Sequence, residues 1–219
     1  MLDGSYVKRQ IKNLLPEEGV NLDLIDLYLT SSIERTEECI SAFIDYRYKG
    51  FNYLNSWQYA TFLYFLANNI YTKSGDDVVP ERLFLLNKMI SGIDLWYQIR
   101  MPDYFSLTHT LGTVFSKAKY GDYSIFYQGC TIGINNNNYP ILGNGLVMFP
   151  GSMIAGCCSI GENTVLAPGV KIIDQDTPGN CYVFLGDSGV PKFKEIDEYF
   201  ADRYFDRRKN GAKNLKDIL

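Results

Sequence analysis

The chain of 219 residues contains a single histidine, His109, so any chemistry that needs an imidazole has one place to occur. Long apolar runs are missing as well: none approaches about 18 uninterrupted apolar residues, so no membrane-spanning helix is expected. The opening MLDGSYVKRQIKNLL lacks the apolar core of a secretion signal, and a cytoplasmic protein is expected. Positive charge is sparse, with 21 Lys and Arg against 25 Asp and Glu and a net charge of -4. No basic patch follows a phosphate backbone, which argues against nucleic acid and favours a small-molecule partner. The five cysteines (Cys39, Cys130, Cys157, Cys158 and Cys181) form an odd set without a CxxC pair. That spacing predicts neither a disulfide framework nor a metal site, and the cysteines read as reduced and structural.

What is present divides into two periodicities. From about Leu22 to Trp96 the apolar residues recur at helical spacing, with aromatic-rich stretches WQYATFLYFLANNIY (57–71) and ERLFLLNKMISGIDLW (81–96) that read as core. Breaks at Pro16-Glu17-Glu18-Gly19 and Ser74-Gly75-Asp76-Asp77, with Pro80 near a helix start, predict four or five helices in an α-helical domain over 1–92.

After Trp96 the period changes to six. Leu142, Met148, Ile154, Ile160, Leu166 and Ile172 fall in one register, and glycine follows directly in Leu142-Gly143 and Ile160-Gly161. The same step links Leu95, Met101 and Leu107, and again Tyr120, Phe126 and Ile132. Such a repeat predicts a triangular parallel β-solenoid over 93–190, with one hexapeptide per face. Residues eighteen apart then stack, Leu142 over Ile160, Met148 over Leu166 and Ile154 over Ile172, in rungs about 4.8 Å apart. Cys130, Ser152, Cys158, Thr164 and Val170, small or β-branched, suit the tight corners. An antiparallel sandwich would instead show turn clusters every 8–12 residues or so. One interruption occurs: Ile132 and Leu142 are ten apart, and the surplus of four matches the run Asn135–Asn138, a polar loop projecting from the wall. The charged segment 191–219 reads as a C-terminal helix with a tail.

A helical half joined to hexapeptide coils resembles the serine O-acetyltransferase family of hexapeptide-repeat acetyltransferases, in order from about residue 53 to 190. The motifs are Ile93-Asp94, LTHTLG (107–112), YQGCTIG (127–133) and YPILGNGLVMFPGSMIAG from Tyr139 onward. The resemblance implies left-handed winding, which six-residue spacing alone does not give and which runs against the usual right-handed crossover. It implies acetyl-CoA as a co-substrate, no tightly bound cofactor or metal, and a homotrimer or dimer of trimers. His109 becomes the general base, with Asp94 fifteen residues earlier as the carboxylate that orients it. Such a spacing, nearly one coil, lets the two side chains meet on neighbouring rungs. Phe149, Gly151, Ala167, Gly169 and Lys192, the last in a GVPK loop (189–192), are implied on the CoA side, and Asn138 and Tyr139 on the acceptor side. Gln128 is either a donor to the thioester oxygen or an ordinary polar residue of the wall.

Departures from the family pattern bear on the acceptor. Serine-specific members carry Arg-His before the proline that follows the loop, where this chain has Asn138-Tyr139 before Pro140. Thr108 replaces the acidic residue before the base, and Pro150 and Pro168 stand where Gly-Ala is usual. No Lys or Arg occurs between Lys119 and Lys171, so the loop and its adjoining coils carry no cation of their own for a carboxylate clamp, and Lys117, Lys119 or Arg100 would have to reach in to supply one. The expectation is O-acetyl transfer to a sugar or glycan hydroxyl. A serine O-acetyltransferase is the alternative, and a non-catalytic trimeric β-helix scaffold is the alternative of another class.

Overall fold

The computed structural model describes residues 2–16, 18–45 and 50–207. Among them are four α-helices followed by strands that coil into a parallel solenoid. The architecture is α + β, as the two periodicities predict, and consistent with the left-handed β-helix that the resemblance implies.

The helices are α1 (Gly4–Leu14), α2 (Asp23–Ser41), α3 (Ser56–Ser74) and α4 (Val78–Ser91). α1 begins at Asp3, whose carboxylate accepts from the Tyr6 amide at 3.0 Å and satisfies one of the orphan donors of the first turn. α3 and α4 stop at Gly75 and Gly92, both in the left-handed region that ends helices cheaply. α3 is buried nearly all round, from Trp57 through Ile70, and is therefore the central helix of this half. Its Tyr64 hydroxyl donates to Ile99 O at 2.5 Å and accepts from Met101 N at 3.0 Å, and Asn68 donates to Tyr97 O at 2.7 Å. The helical half is thereby fastened to the first coil.

The solenoid has three walls. One contains β1 (Asp94–Leu95), β3 (Val114–Phe115), β5 (Thr131–Gly133), β8 (Met153–Ala155) and β11 (Lys171–Ile173), five parallel rungs in order. A second contains β2 (Phe105–Leu107), β4 (Ser124–Phe126), β7 (Val147–Met148), β10 (Thr164–Leu166) and β12 (Cys181–Leu185). The third pairs β6 (Ile141–Leu142) with β9 (Ser159–Ile160). Inside, Leu142 stacks on Ile160, Met148 on Leu166 and Ile154 on Ile172, as the six-residue repeat requires. Leu95, Met101, Leu107, Phe126 and Ile132 join them in one buried cluster, with Tyr120 half-buried at its edge. Cys130, Ser152, Cys158, Thr164 and Val170 are all buried at the corners.

The Leu-Gly and Ile-Gly pairs have a direct steric cause. A Cβ on Gly121 would stand 2.5 Å from Gly143 C, one on Gly143 2.6 Å from Glu162 N, and one on Gly161 2.4 Å from Gly179 N. Backbone of the next coil already occupies that space.

The tail corrects an expectation. Pro191–Glu195 forms β13, antiparallel to β12, where a helix was expected, and a 3-10 helix covers Phe200–Arg203. The physical reason is the open edge of β12, whose unpaired amides and carbonyls are satisfied by a returning strand. From Ile196 to Phe205 the chain then lies across the second wall. Ile125, Val147 and Val165, which point outward, are buried there with Ala201 and Phe205. Residues 208–219 lie outside the described residues.

Gly143→Ala is expected to destabilise the fold by about 1–3 kcal/mol through overpacking against fixed backbone. Gly169→Ala should cost about 1–2 kcal/mol for a different reason, since its surroundings are open but its φ is +73°. Urea denaturation of both variants measures this.

Candidate active site

Four β-turns stack at the corner between the second and first walls. They are Thr110–Thr113, Tyr127–Cys130, Phe149–Ser152 and Ala167–Val170, closed by amide-to-carbonyl bonds of 3.2, 3.4, 3.2 and 3.2 Å. Each has glycine third, Gly112, Gly129, Gly151 and Gly169, with φ between +69° and +73°. Those glycine amides bond to the coil before, at Gly92, Leu111, Gln128 and Pro150 carbonyls, 2.9–3.0 Å away. Pro150 and Pro168 occupy the second turn position, where a fixed φ near -65° suits a type II turn. The two prolines are therefore corner formers, and Gly151 and Gly169 are their required partners.

His109 stands where this corner is irregular. Seven residue steps separate Leu107 from Val114, while five separate their register partners Phe126 and Thr131, and five again Met148 and Met153. The first coil thus carries two surplus residues, Thr108 and His109, which bulge from the corner. His109 is exposed and has φ +53°, an unfavourable conformation for a residue with a side chain. Its neighbours hold it there: Thr108 N donates to Phe126 O at 2.9 Å, the Thr108 and Ser106 hydroxyls lie 3.0 Å apart, and the Thr110 hydroxyl donates to Ser91 O at 2.6 Å. Backbone strain held by its surroundings is characteristic of functional positions.

Asp94 opens the first rung beside this corner, its amide donating to Thr113 O at 2.9 Å. Its carboxylate accepts from Lys88 Nζ of α4 at 2.6 Å, and no hydrogen bond joins it to His109. The carboxylate thus takes part in an ion pair that the fifteen-residue spacing did not reveal. Lys88 sits in the last turn of α4, where a cation is favoured by the helix dipole.

The remaining expected site residues fall in three places. Gln128, Phe149, Gly151, Ala167 and Gly169 share the His109 corner. The Gln128 Oε1 is buried there without a hydrogen-bond partner. Phe149 packs its ring between Tyr127 and Phe200, 5.3 and 6.2 Å away between centroids, so it belongs as much to the covered wall as to the corner. Asn138 and Tyr139 lie at a different corner, past β5. There Asn135 and Asn138 exchange backbone bonds of 3.1 and 2.8 Å around Asn136 and Asn137, both at positive φ, in the manner of a type I′ hairpin turn. Lys117 holds its ammonium 4.8 Å over the Tyr139 ring, so this corner does carry a cation, from the preceding coil. Lys192 lies on β13, opposite Phe184 at the solenoid's last rung.

The cysteines offer no nucleophile at the corner. Burial raises the Cys130 thiol above its ordinary range, as it does those of Cys158 and Cys181, and pushes Cys39 up to about 11.

Relieving the backbone at the base should stabilise the chain. His109→Gly is expected to raise unfolding free energy by about 0.5–1 kcal/mol, the strain relieved less the extra freedom of glycine in the unfolded state. Chemical denaturation beside His109→Ala, which keeps the strain, measures the difference.

Comparison with known proteins agrees with this fold. No family model matches the chain. A serine acetyltransferase of Synechococcus elongatus is 29% identical over 119 residues, 52% of this chain and 47% of the relative. The chain therefore spans about half the length of the curated relative it matches. Among solved structures, the serine acetyltransferase of Neisseria gonorrhoeae superposes with a TM-score of 0.66 at 17% identity, covering 91% of this chain and 82% of that one. The serine acetyltransferase of Brucella abortus strain S19 in complex with coenzyme A gives 0.64 at 17% identity, covering 89% and 83%. Over about half its length the chain is similar in sequence to a serine acetyltransferase, and over about nine-tenths of it shares the fold of solved serine acetyltransferases.

Proposed function

We propose that this chain is an O-acetyltransferase that moves an acetyl group from acetyl-CoA to a hydroxyl of a sugar, glycan or other small acceptor. The observation that carries the reading is His109: the chain's one imidazole, exposed and held at φ +53° on a two-residue bulge of an otherwise regular corner. A scaffold has no use for that arrangement. The coenzyme A bound by the Brucella abortus relative supports the donor. No described helix is long and apolar enough to cross a membrane, and a cytoplasmic setting completes the reading.

In this mechanism His109 takes the proton of the acceptor hydroxyl as its oxygen attacks the thioester carbonyl carbon. The C–S bond breaks, the acetyl group stays on the acceptor oxygen, and the imidazolium returns the proton to the CoA thiolate. Base catalysis of this kind is worth about 10²–10⁴-fold. Asp94 is the carboxylate that assists it, and the buried amide of Gln128 meets the pantetheine arm or the thioester. Gly151, Ala167 and Gly169 form the ridge along which that arm lies, with Phe149 on one side and Lys192 toward its far end.

Asn138 and Tyr139 contact the acceptor, and their position supports a site shared between copies. They lie on another corner from His109, so the loop of one copy meets the base of its neighbour in a homotrimer, or a dimer of trimers. The wall under Ile196–Phe205 is already covered, which leaves the other two for packing. Light scattering at micromolar concentration should give three or six times the 25.0 kDa chain mass, and a monomer would overturn the shared site.

For the acceptor, a neutral polyol suits the Asn- and Tyr-rich loop. Lys117 beside Tyr139 favours a second reading, serine, whose carboxylate needs a cation. CoA release against L-serine and a panel of nucleotide sugars tests both: turnover of a sugar hydroxyl with poor use of serine is expected, and efficient use of serine at sub-millimolar KM would reverse the order. His109→Ala should lower the rate with the best acceptor at least about 100-fold.

A further inference from the structure

The hairpin turn at Asn135–Asn138 is held at both legs, from opposite directions along the solenoid. Its outgoing leg is fixed by the coil before it: Lys119 N donates to Pro140 O at 3.1 Å, and the Lys117 ammonium stands 4.8 Å over the Tyr139 ring. Its incoming leg is fixed by one carboxylate from two coils further on. Asn135 Nδ2 donates to Asp174 Oδ2 at 2.5 Å, and the other oxygen, Oδ1, accepts from Cys157 N at 2.7 Å.

The register explains how that side chain reaches the loop. Gly133 pairs with Ala155 and Ala155 with Ile173, so the residues after these strand ends, Ile134, Gly156 and Asp174, fall in one column. Asp174 meets Asn135 only by passing over Gly156. A Cβ on Gly156 would stand 2.0 Å from Asp174 Oδ1 and 2.9 Å from Asn135 Cβ, so this glycine leaves open the space that the carboxylate fills. Asp174 itself is held at φ +48°, a conformation that Asp and Asn tolerate better than other residues with side chains. The wall beneath is complete without this contact, because Gly156 N donates to Gly133 O at 3.2 Å and Asp174 N to Ala155 O at 3.0 Å. What the carboxylate adds falls on the loop.

We propose that Asp174 is a positioning residue for the acceptor: by holding Asn135 it fixes the hairpin, and with it the direction in which Asn138 and Tyr139 are presented. The inference rests on the proposed acceptor role of that loop and deepens it. Without the bond the turn still closes through the Asn135–Asn138 backbone pair, but it pivots on its outgoing leg alone. The acceptor then meets a loop that is correctly placed only part of the time, and its apparent affinity falls by that fraction. The acetyl-CoA residues, proposed at another corner, are unaffected.

Exchanging the two side chains decides the matter. Asp174→Ala and Asn135→Asp each remove the bond, the second by setting two carboxylates face to face. Both should raise the acceptor KM about tenfold and leave the acetyl-CoA KM within about twofold of its original value. Asp174→Asn should stay near wild type, because the Asn135 amide can turn its oxygen to the new donor. Joining Asp174→Asn to Asn135→Asp restores donor and acceptor in reversed order and should bring the acceptor KM back. Rapid-mixing hydrogen exchange of the full-length protein reads the loop without turnover. Exchange over 134–139 should quicken in Asp174→Ala and Asn135→Asp and slow again in the double variant. Unchanged exchange or an unmoved acceptor KM in the single variants, no rescue in the double variant, or an acetyl-CoA KM that rises with that of the acceptor would overturn the proposal. Should Asp174→Ala not fold, Asn135→Asp and its rescue decide alone. A chain that acetylates no acceptor would overturn the proposed function, while the exchange rates still decide whether Asp174 holds the loop.

Discussion

Everything in the second half of this protein depends on coil stacking on coil. Each rung is held to the next by parallel backbone hydrogen bonds and by an aliphatic interior one side chain wide, and neither tolerates an error of one position. Regular residues are thereby forced into the wall or the core. Side chains that leave this pattern stand where the coil length departs from the repeat. Two such departures carry the proposed site: the surplus pair Thr108 and His109, and the hairpin turn at Asn135–Asn138.

The helical half works on the same corner from outside. α4 ends at Gly92, and the next residues lie directly against the turn after His109, so the helix end delivers Lys88 to Asp94. A cation at a helix C-terminus is favoured by the backbone dipole whether or not a carboxylate is near. The ion pair is partly exposed and contributes little to stability, about 1 kcal/mol at most.

The fold was legible where the period was strict. From Leu142 to Ile172 the six-residue step is unbroken, and the interior stack follows it without exception. Earlier the coils vary in length: Leu95 to Phe115 is twenty residues, Phe115 to Ile132 seventeen and Ile132 to Ile154 twenty-two. The Asn run announced the last of these by composition. The bulge at His109 had no such marker, because Thr108 and His109 are surplus only relative to a register that pairing with Phe126 and Thr131 defines. The tail misled for a simpler reason. Its charge suggested a helix, yet PKFKE alternates with period two, and an open strand edge beside it decided the matter. Lys88 was invisible as a site residue because its partner, Asp94, is brought to it by the docking of α4, whereas Lys117, one of three cations outside the loop that the sequence offered, meets Tyr139 from the coil below.

The covered wall has a consequence for how the molecule assembles. Ile125, Val147 and Val165 face outward on successive rungs, and the segment that shields them follows all the solenoid's strands in sequence. Phe205 completes that shield with its ring tilted against that of Phe43, just past α2, 4.5 Å away between centroids. Rungs form from neighbouring coils, but this closure joins segments far apart in sequence and so follows the pairing of the coils. Until it forms, the solenoid carries a greasy stripe of its own making. The segment Ile196–Phe205 turns that sticky wall into a covered one.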